Sequence, residues 1–234
     1  MEVVPGLHWV ERIWDTKVYV LLEDSRVVVI DAAMPGRAGA VWRHLDTLGH
    51  QPEAVDEIWL THGDIDHMGS VAALKARSGA RVVAHRADVD LVAGRAQREL
   101  GPSRFTRAYK RVFNWAIYQL FRYKPVAIDQ PVTDNDTLGD WQVVHTPGHT
   151  PGSVSYYHPG RGIAIVGDAI NHKRGRLGAP PPLVTYDLDQ AYDSVRRIAA
   201  LDFEVCCFGH GPPLLEHAQQ RVQALADSLP LAGE

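Results

Sequence analysis

The chain has 234 residues, of which 45% are hydrophobic and 22% charged, a composition typical of a globular protein rather than of a disordered, collagen-like or coiled-coil chain. Its apolar runs, such as residues 27–30, are far shorter than the roughly 20 residues that cross a bilayer, so we expect no membrane span. The net charge of −4 offers no general attraction to nucleic acid, and we expect no nucleic-acid partner.

The N-terminal residues carry neither the basic region nor the apolar core of a signal peptide, which predicts a cytoplasmic location. The two cysteines, Cys206 and Cys207, are adjacent in a predicted strand and are expected to be reduced thiols rather than a disulfide. Twelve histidines are about twice what average usage supplies, so their positions carry information about function.

The first part of the chain predicts a β-meander followed by alternating helices and strands. Runs rich in Val, Ile, Trp and Tyr between polar turns predict strands, and apolar residues at three- and four-residue spacing predict helices. The predicted strands are 7–12, 18–22, 27–30, 58–60 and 81–84. The predicted helices are 41–48 and 70–77.

Residues 103–123 predict a long amphipathic helix, an insertion at about 100–125 in the fold. Apolar residues recur there at helical spacing, Pro102-Ser103 is a good helix start, and the polar face is basic, with no acidic residue from 103 to 128. Three interpretations stay open: a helix packed on the domain or on a second subunit of a homodimer, a basic rim or lid over a substrate cleft, and a helix at a membrane surface.

The rest of the chain predicts a second block of strands and helices. The predicted strands are 141–145, 154–157, 163–166 and 205–208, and the predicted helices are 190–201 and 216–229. Two blocks of sheet, each followed by helices, predict a single α/β domain over residues 1–234, with two sheets between helical layers.

The segment from Thr61 to His67 reads Thr-His-Gly-Asp-Ile-Asp-His directly after an apolar strand, and its imidazoles and carboxylates are typical metal ligands. Three more sites follow strands in Gly-rich or Pro-rich loops, where little bulk prevents His or Asp side chains from converging. Taken together, the candidates suit two metals that share a carboxylate. They are His62, Asp64, Asp66, His67, His149, Asp168 and His210.

These motifs resemble the metallo-β-lactamase superfamily, whose fold is a four-layer αββα sandwich with a two-metal site at one edge. The family's first loop reads His-x-His-x-Asp-His, followed by a single His, a bridging Asp and a last His. The resemblance spans nearly the whole chain. The matching residues are His62, Asp66, His67, His149, Asp168 and His210. Asp31 matches the family's early buried aspartate, which supports the metal loop.

One position departs from the family's pattern, because Asp64 stands where the second histidine is expected. By analogy, one metal would take His62, Asp64 and His149, the other would take Asp66, His67 and His210, and Asp168 would lie between them. With Asp64 as a ligand, three carboxylates and a hydroxide balance the charge of two divalent ions, and the site should attract anions less than its relatives do. The alternative is that Asp64 does not bind metal and one site is weak.

Zinc is the expected metal, with iron or manganese as alternatives, because the added carboxylate makes the first ligand set harder. The flavodiiron members of the superfamily also place a carboxylate at this position and bind iron. They carry a flavin domain for which this chain has no room.

The resemblance implies a dinuclear-metal hydrolase in which a metal-bridging hydroxide attacks the substrate and Asp66 carries the proton. A lactonase-like activity on a small-molecule lactone, ester or thioester is expected. A non-haem diiron redox enzyme acting on oxygen or a persulfide, a phosphodiesterase, and a non-catalytic metal-binding relative remain as alternatives. The short segment after His210 predicts no glutathione-binding helical domain, no inserted nuclease domain is expected, and the missing export signal argues against defence against β-lactams.

The expected walls of the substrate cleft are the 103–123 helix and the loop 177–186, whose aromatic, Leu and Pro residues favour a partly apolar substrate. Candidate substrate-binding residues are Phe113 and Phe121 on that helix, and His172, which follows Asp168 by four positions. The other histidines are interpreted as surface residues or as core residues with satisfied hydrogen bonds.

Overall fold

Two β-sheets pack face to face in the computed structural model, which describes residues 1–23, 26–98, 116 and 123–230. The first sheet has seven strands in chain order, antiparallel from the first strand to the fourth and parallel from the fourth to the seventh. Its strands are β1 (Glu2–Val4), β2 (Leu7–Trp9), β3 (Tyr19–Glu23), β4 (Arg26–Ile30), β5 (Val55–Trp59), β6 (Arg81–His85) and β7 (Gln130–Val132).

The later strands are β8 (Thr137–Leu138), β9 (Trp141–His145), β10 (Val154–His158), β11 (Ile163–Ile165), β12 (Asn171–Lys173), β13 (Arg176–Gly178) and β14 (Val205–Cys207). Five of them form the second sheet in the order β14-β11-β10-β9-β8, in which β11 and β14 pair in parallel. The other two, β12 and β13, pair as a separate two-stranded ribbon.

Helices cover the outer face of each sheet. The described helices are α1 (Ala38–Thr47), α2 (Ile65–Met68), α3 (Val71–Ser78), α4 (Val89–Val92), α5 (Leu188–Ala199) and α6 (Ala218–Ser228). Helices α1 and α3 pack on the first sheet, and α5 and α6 pack on the second. The predicted four-layer αββα arrangement is therefore confirmed.

Strand β4 shows why the sandwich has three apolar layers. Val27 and Val29 pack in the cluster under α1 and α3, whereas Val28 and Ile30 pack in the cluster between the two sheets. Side chains alternate between the faces of a strand, so a run of four apolar residues serves a strand that is buried on both sides.

Several elements differ from those predicted. Strand β2 ends at Trp9 instead of continuing to residue 12, because the chain turns away and Arg12 adopts a φ of 65°. Strands β1, β7, β8, β12 and β13 were not predicted, since none exceeds three residues. The predicted helix 103–123 lies almost entirely outside the described residues. Within the part of the chain that the structure describes, no helix has the length and hydropathy needed to span a membrane.

Candidate metal centre

The candidate ligands lie at one edge of the sandwich, at the carboxyl ends of strands from both sheets. Asp31 follows β4 and His62 follows β5, two strands that pair in parallel. Asp168 follows β11 and His210 follows β14, which also pair in parallel, and His149 lies in the loop between β9 and β10. The ends of parallel neighbours meet at the same edge, so distant parts of the sequence converge there.

His62, Asp64 and His149 form one group of possible metal ligands, whose candidate ligand atoms all lie within 4.8 Å of one another. Oδ2 of Asp64 lies 3.0 Å from Nε2 of His149 and 3.8 Å from Nε2 of His62. This carboxylate oxygen therefore faces the two imidazoles that the sequence analysis assigned to the first metal.

A second group consists of Asp66, His67 and His210. The first two residues lie on the four-residue helix α2, an element that was not predicted from the sequence. Oδ2 of Asp66 lies 3.8 Å from Nε2 of His67 and 3.3 Å from Nε2 of His210. The short helix thus aims two donors at the loop that follows β14.

Asp168 lies between the two groups. Its Oδ2 is 3.7 Å from Nε2 of His149 and 3.2 Å from Nε2 of His210, and its Oδ1 is 3.4 Å from Nε2 of His67. A carboxylate that contacts imidazoles of both groups has the geometry expected of a ligand shared by two ions.

Asp31 orients two of the imidazoles from behind. Nδ1 of His67 donates to Oδ2 of Asp31 at 2.8 Å, and Nδ1 of His62 lies 3.0 Å from Oγ1 of Thr61, which itself donates to Asp31. Both rings therefore direct Nε2 into the site, and a carboxylate behind a histidine in this way fixes its tautomer. Burial, together with the charges of His67 and His149, holds the pKa of His62 well below its ordinary value, so this ring is neutral.

Carboxylates dominate the protonation of the other group. Burial alone would lower the pKa of His67, but the charges of Asp31, Asp168 and Asp66 outweigh it and raise that pKa well above its ordinary value. The pKa of His210 is raised to about 9, since its bonds to Asp168 and Asp66 outweigh burial. These protons balance negative charge that divalent cations would balance instead, so metal binding should release them.

Two buried atoms test whether the site suits a metal. Nε2 of His62 and Oδ1 of Asp168 are both inaccessible to solvent and make no hydrogen bond among the described residues, although Oδ1 of Asp168 has a longer contact of 3.4 Å to Nε2 of His67. Leaving a buried donor or acceptor unsatisfied costs about 1–3 kcal/mol, so such atoms at the convergence of imidazoles and carboxylates fit a site built for cations.

Arg98 is a site residue that was not predicted from the sequence. Its buried guanidinium binds both oxygens of Asp64, from Nε to Oδ1 and from Nη2 to Oδ2 at 3.1 Å. Burial would raise the pKa of Asp64, but Arg98 together with the bond and charge of His149 and the charge of His62 holds it well below its ordinary value. The charge balance drawn from the sequence was incomplete, because Arg98 cancels the extra carboxylate.

Asp88, which sequence reasoning also missed, connects two of the ligand-bearing loops. Its Oδ2 accepts a hydrogen bond from the backbone N–H of Gly63 at 2.7 Å and lies 3.2 Å from the donor Oγ1 of Thr150. Gly63 neighbours His62 in sequence, and Thr150 neighbours His149. Asp88 therefore holds the two loops of the first group at a fixed separation.

Gly209 leaves the space that Asp168 occupies. A Cβ built on Gly209 would lie 2.2 Å from Oδ1 of Asp168 and 2.7 Å from Cε1 of His67. Side chains cannot approach this closely, so the absence of a side chain at Gly209 allows the two groups to converge.

A cleft of about 450 Å³ opens beside Asp66. Trp14, 80% exposed, lines it together with Met34, Pro35 and Arg37, and the guanidinium of Arg37 lies 5.4 Å from the centre of a Trp14 ring. Trp14 lies in the loop between β2 and β3, which was not among the predicted cleft walls.

The loop 177–186, a predicted cleft wall, is attached to the first group. Its Val184 carbonyl accepts from Nη2 of Arg98, and the N–H of Tyr186 donates to the His149 carbonyl. His172 is buried, with Nδ1 donating to the Pro212 carbonyl at 2.7 Å, and is not part of either ligand group. Phe113 and Phe121 lie outside the described residues.

The sequence model of the Metallo-beta-lactamase superfamily matches residues 13–210. The chain is 27% identical to the probable metallo-hydrolase YflN of Bacillus subtilis (strain 168), over 82% of this chain and 78% of that protein. It is 31% identical to a hydroxyacylglutathione hydrolase of Maricaulis maris (strain MCS10), over 64% of this chain, and it spans 46% of the length of that enzyme.

Among solved structures, a metallo-beta-lactamase family protein from Thermus thermophilus superposes with a TM-score of 0.74 at 25% identity, covering 97% of this chain and 80% of that one. The segment matched by the superfamily includes every candidate ligand from His62 to His210.

Proposed function

The chain belongs to the metallo-beta-lactamase superfamily, and from this premise we propose that it is a dinuclear, zinc-dependent hydrolase of a small-molecule thioester, ester or lactone. The observation that carries the proposal is the pair of ligand groups, His62 with Asp64 and His149, and Asp66 with His67 and His210, on either side of Asp168. Two divalent ions at such a site supply a water that is deprotonated near neutral pH and polarise the oxygen of an electrophile.

The protein's own groups perform the remaining steps of hydrolysis. Asp168 holds the two halves of the site together, and Asp31 keeps Nε2 of His67 directed inwards. The side chain of Asp66 is 31% exposed and lines the cleft, while its Oδ2 contacts His210. A carboxylate placed between the site and the cleft is suited to accept the proton of the attacking water and to deliver it to the leaving group.

A thioester or lactone fits the cleft and the relatives. Trp14, Met34 and Pro35 offer apolar surface to an acyl chain, and Arg37 offers a positive charge to an anionic tail. A relative that is 31% identical over 64% of this chain bears the name hydroxyacylglutathione hydrolase, which describes cleavage of a thioester. The pairing of Asp64 with Arg98 cancels the carboxylate that favoured iron in the sequence analysis, which supports zinc.

Metal analysis followed by a hydrolysis screen tests the proposal. We expect about two zinc ions per chain after expression without added metal, and turnover of acyl thioesters or lactones in preference to phosphodiesters and β-lactams. Asp168→Ala should lose both ions and His210→Ala should retain about one. Asp193→Ala, at a surface carboxylate paired with Arg196, is the matched control and should retain two ions and full activity.

Two results would contradict the proposal. Full occupancy by two zinc ions in Asp168→Ala would remove the shared-ligand assignment. Iron as the native metal, with a visible absorption signature and no hydrolysis of any ester-like substrate, would move the protein to the redox class.

A further inference from the structure

The pair formed by Asp64 and Arg98 departs from an ordinary surface salt bridge. The Arg98 side chain is 4% exposed and that of Asp64 17% exposed, and the guanidinium meets the carboxylate with two nitrogens. Arginine remains charged in proteins, and a two-pronged arginine–carboxylate contact fixes orientation as well as charge. Asp64 is therefore held in one position before any cation binds.

The hydrogen bonds of Arg98 leave one Asp64 oxygen available. Nη2 of Arg98 donates to the His149 carbonyl at 2.8 Å and to the Val184 carbonyl at 2.9 Å, and its contact to Oδ2 of Asp64 is longer, at 3.1 Å. A terminal guanidinium nitrogen has two protons, so Nη2 divides them among three acceptors, and its contact to Oδ2 of Asp64 is the longest of the three. Oδ1 is occupied by Nε, whereas Oδ2 faces Nε2 of His149 with lone pairs to spare.

We propose that Arg98 is a positioning residue for the first metal site: it holds Asp64 so that one carboxylate oxygen binds the metal, and its positive charge makes the Asp64–Arg98 pair neutral. The proposal rests on the metal site proposed above. The Asp64–Arg98 pair would then match a neutral imidazole both in charge and in the number of atoms that it offers. One donor atom per ligand favours the four-coordinate geometry of zinc, whereas a free carboxylate that binds with both oxygens favours larger coordination numbers and harder ions.

The same contacts give Arg98 a second role in this site. Through His149 and Val184 it connects a ligand of the first group to the loop 177–186, so that the position of the ligand and of the loop depend on one guanidinium. A purely structural salt bridge would contribute to stability without any influence on which metal binds, and this difference is measurable.

A four-protein cycle tests the proposal through zinc binding: wild type, Asp64→His, Arg98→Met and the double variant. Each apoprotein is titrated with Zn²⁺ and with Mn²⁺ against a competing chelator, and elemental analysis gives the number of ions per chain. Arg95→Met is the matched control. Arg95 lies three residues before Arg98 in the chain, and it is exposed and pairs with Asp90 at the surface.

We expect Asp64→His to weaken zinc at the first group by at least about tenfold, since it leaves a buried guanidinium without its carboxylate beside a dication. The double variant should recover most of that loss, and Arg98→Met measures separately the effect of the lost bonds to the His149 and Val184 carbonyls. Arg98→Met should lower the preference for zinc over manganese by about tenfold or more, since Asp64 then offers two oxygens and a full charge. Arg95→Met should match wild type.

The proposal would be overturned by an Asp64→His variant that binds two zinc ions as tightly as wild type, or by a double variant as weak as Asp64→His. If Asp64→His does not fold, Arg98→Lys provides a second test. Lysine keeps the positive charge but cannot bind the carboxylate with two nitrogens, so this variant should show a preference for zinc over manganese between those of wild type and Arg98→Met. An unchanged preference in Arg98→Lys and Arg98→Met would also overturn it. A wild-type chain with fewer than two zinc sites refutes the proposed function and this inference with it, whereas a difference confined to the variants refutes the inference alone.

Discussion

Replacing Gly209 by alanine should displace the Asp168 carboxylate or the loop that contains residue 209, and the structure gives the size of that displacement. The new Cβ would lie 2.2 Å from Oδ1 of Asp168, whereas ordinary contacts begin near 3.4 Å, so the carboxylate or the loop must move by about 1.2 Å. The backbone of Gly209 does not have a positive φ, so the cost comes from crowding and not from backbone strain.

Two magnitudes follow for Gly209→Ala. Crowding a well-packed interior costs about 1–3 kcal/mol of unfolding free energy. A misplacement of about 1 Å at a reacting centre costs about 100-fold in rate, which corresponds to about 2.7 kcal/mol of activation free energy. Because Asp168 contacts imidazoles of both ligand groups, retention of both ions should fall together.

The assay combines zinc retention during dialysis against a chelator, kcat/KM on the best substrate of the screen, and urea unfolding. Gly39→Ala is the matched control, because Gly39 lies in helix α1, has no positive φ, and a Cβ there meets only the side chain of Arg43, at an ordinary contact distance of 3.5 Å. Wild-type zinc retention together with a rate loss of less than about threefold in Gly209→Ala would refute the packing argument.

Two further predictions concern Asp88, which connects the loops of the first group, and His85, the last residue of β6. Asp88→Ala should lower the unfolding free energy by about 1–3 kcal/mol and weaken binding of the first metal, because the buried N–H of Gly63 loses its acceptor. Asp88→Asn keeps an acceptor oxygen and should lose less stability. Equal stabilities of Asp88→Ala and wild type in urea would contradict this prediction. Burial, with the charges of His145 and Arg86, lowers the pKa of His85 to about 4. Below the unfolded-state pKa near 6.5 the unfolded chain therefore binds a proton that the folded chain does not, so stability should fall as the pH drops from about 6.5 to 4, and less steeply in His85→Gln. Parallel curves of urea midpoint against pH for wild type and His85→Gln would refute the lowered pKa of His85.

The sequence predicted the metal-binding positions best where His and Asp residues cluster directly after an apolar strand. The donors of Thr61–His67 follow a run of apolar residues that forms a strand, and such a strand ends at the edge where other strands end. Their convergence with His149, Asp168 and His210 could therefore be predicted, together with the αββα layers.

Arg98 could not be predicted in the same way, because an arginine distant from every motif resembles any surface arginine. The available signal was indirect: a carboxylate at the position of a neutral histidine, in a cluster already rich in aspartate, requires a compensating cation. Helix α2 escaped prediction because four residues are too few to show a helical period. Trp14 escaped it because exposure on a loop depends on tertiary structure.

Each ligand group takes two residues from the first third of the chain and one from beyond the middle: His62 and Asp64 with His149, and Asp66 and His67 with His210. During synthesis on the ribosome, neither group has three donors until its distant member has emerged and the two sheets have docked. An ion bound to either group would link a loop of the first sheet to a loop of the second sheet. An excess of free metal of about 1,000 times its dissociation constant would then add about 4 kcal/mol to the folded state, so the lifetime of this protein in a cell would depend on the supply of the ion.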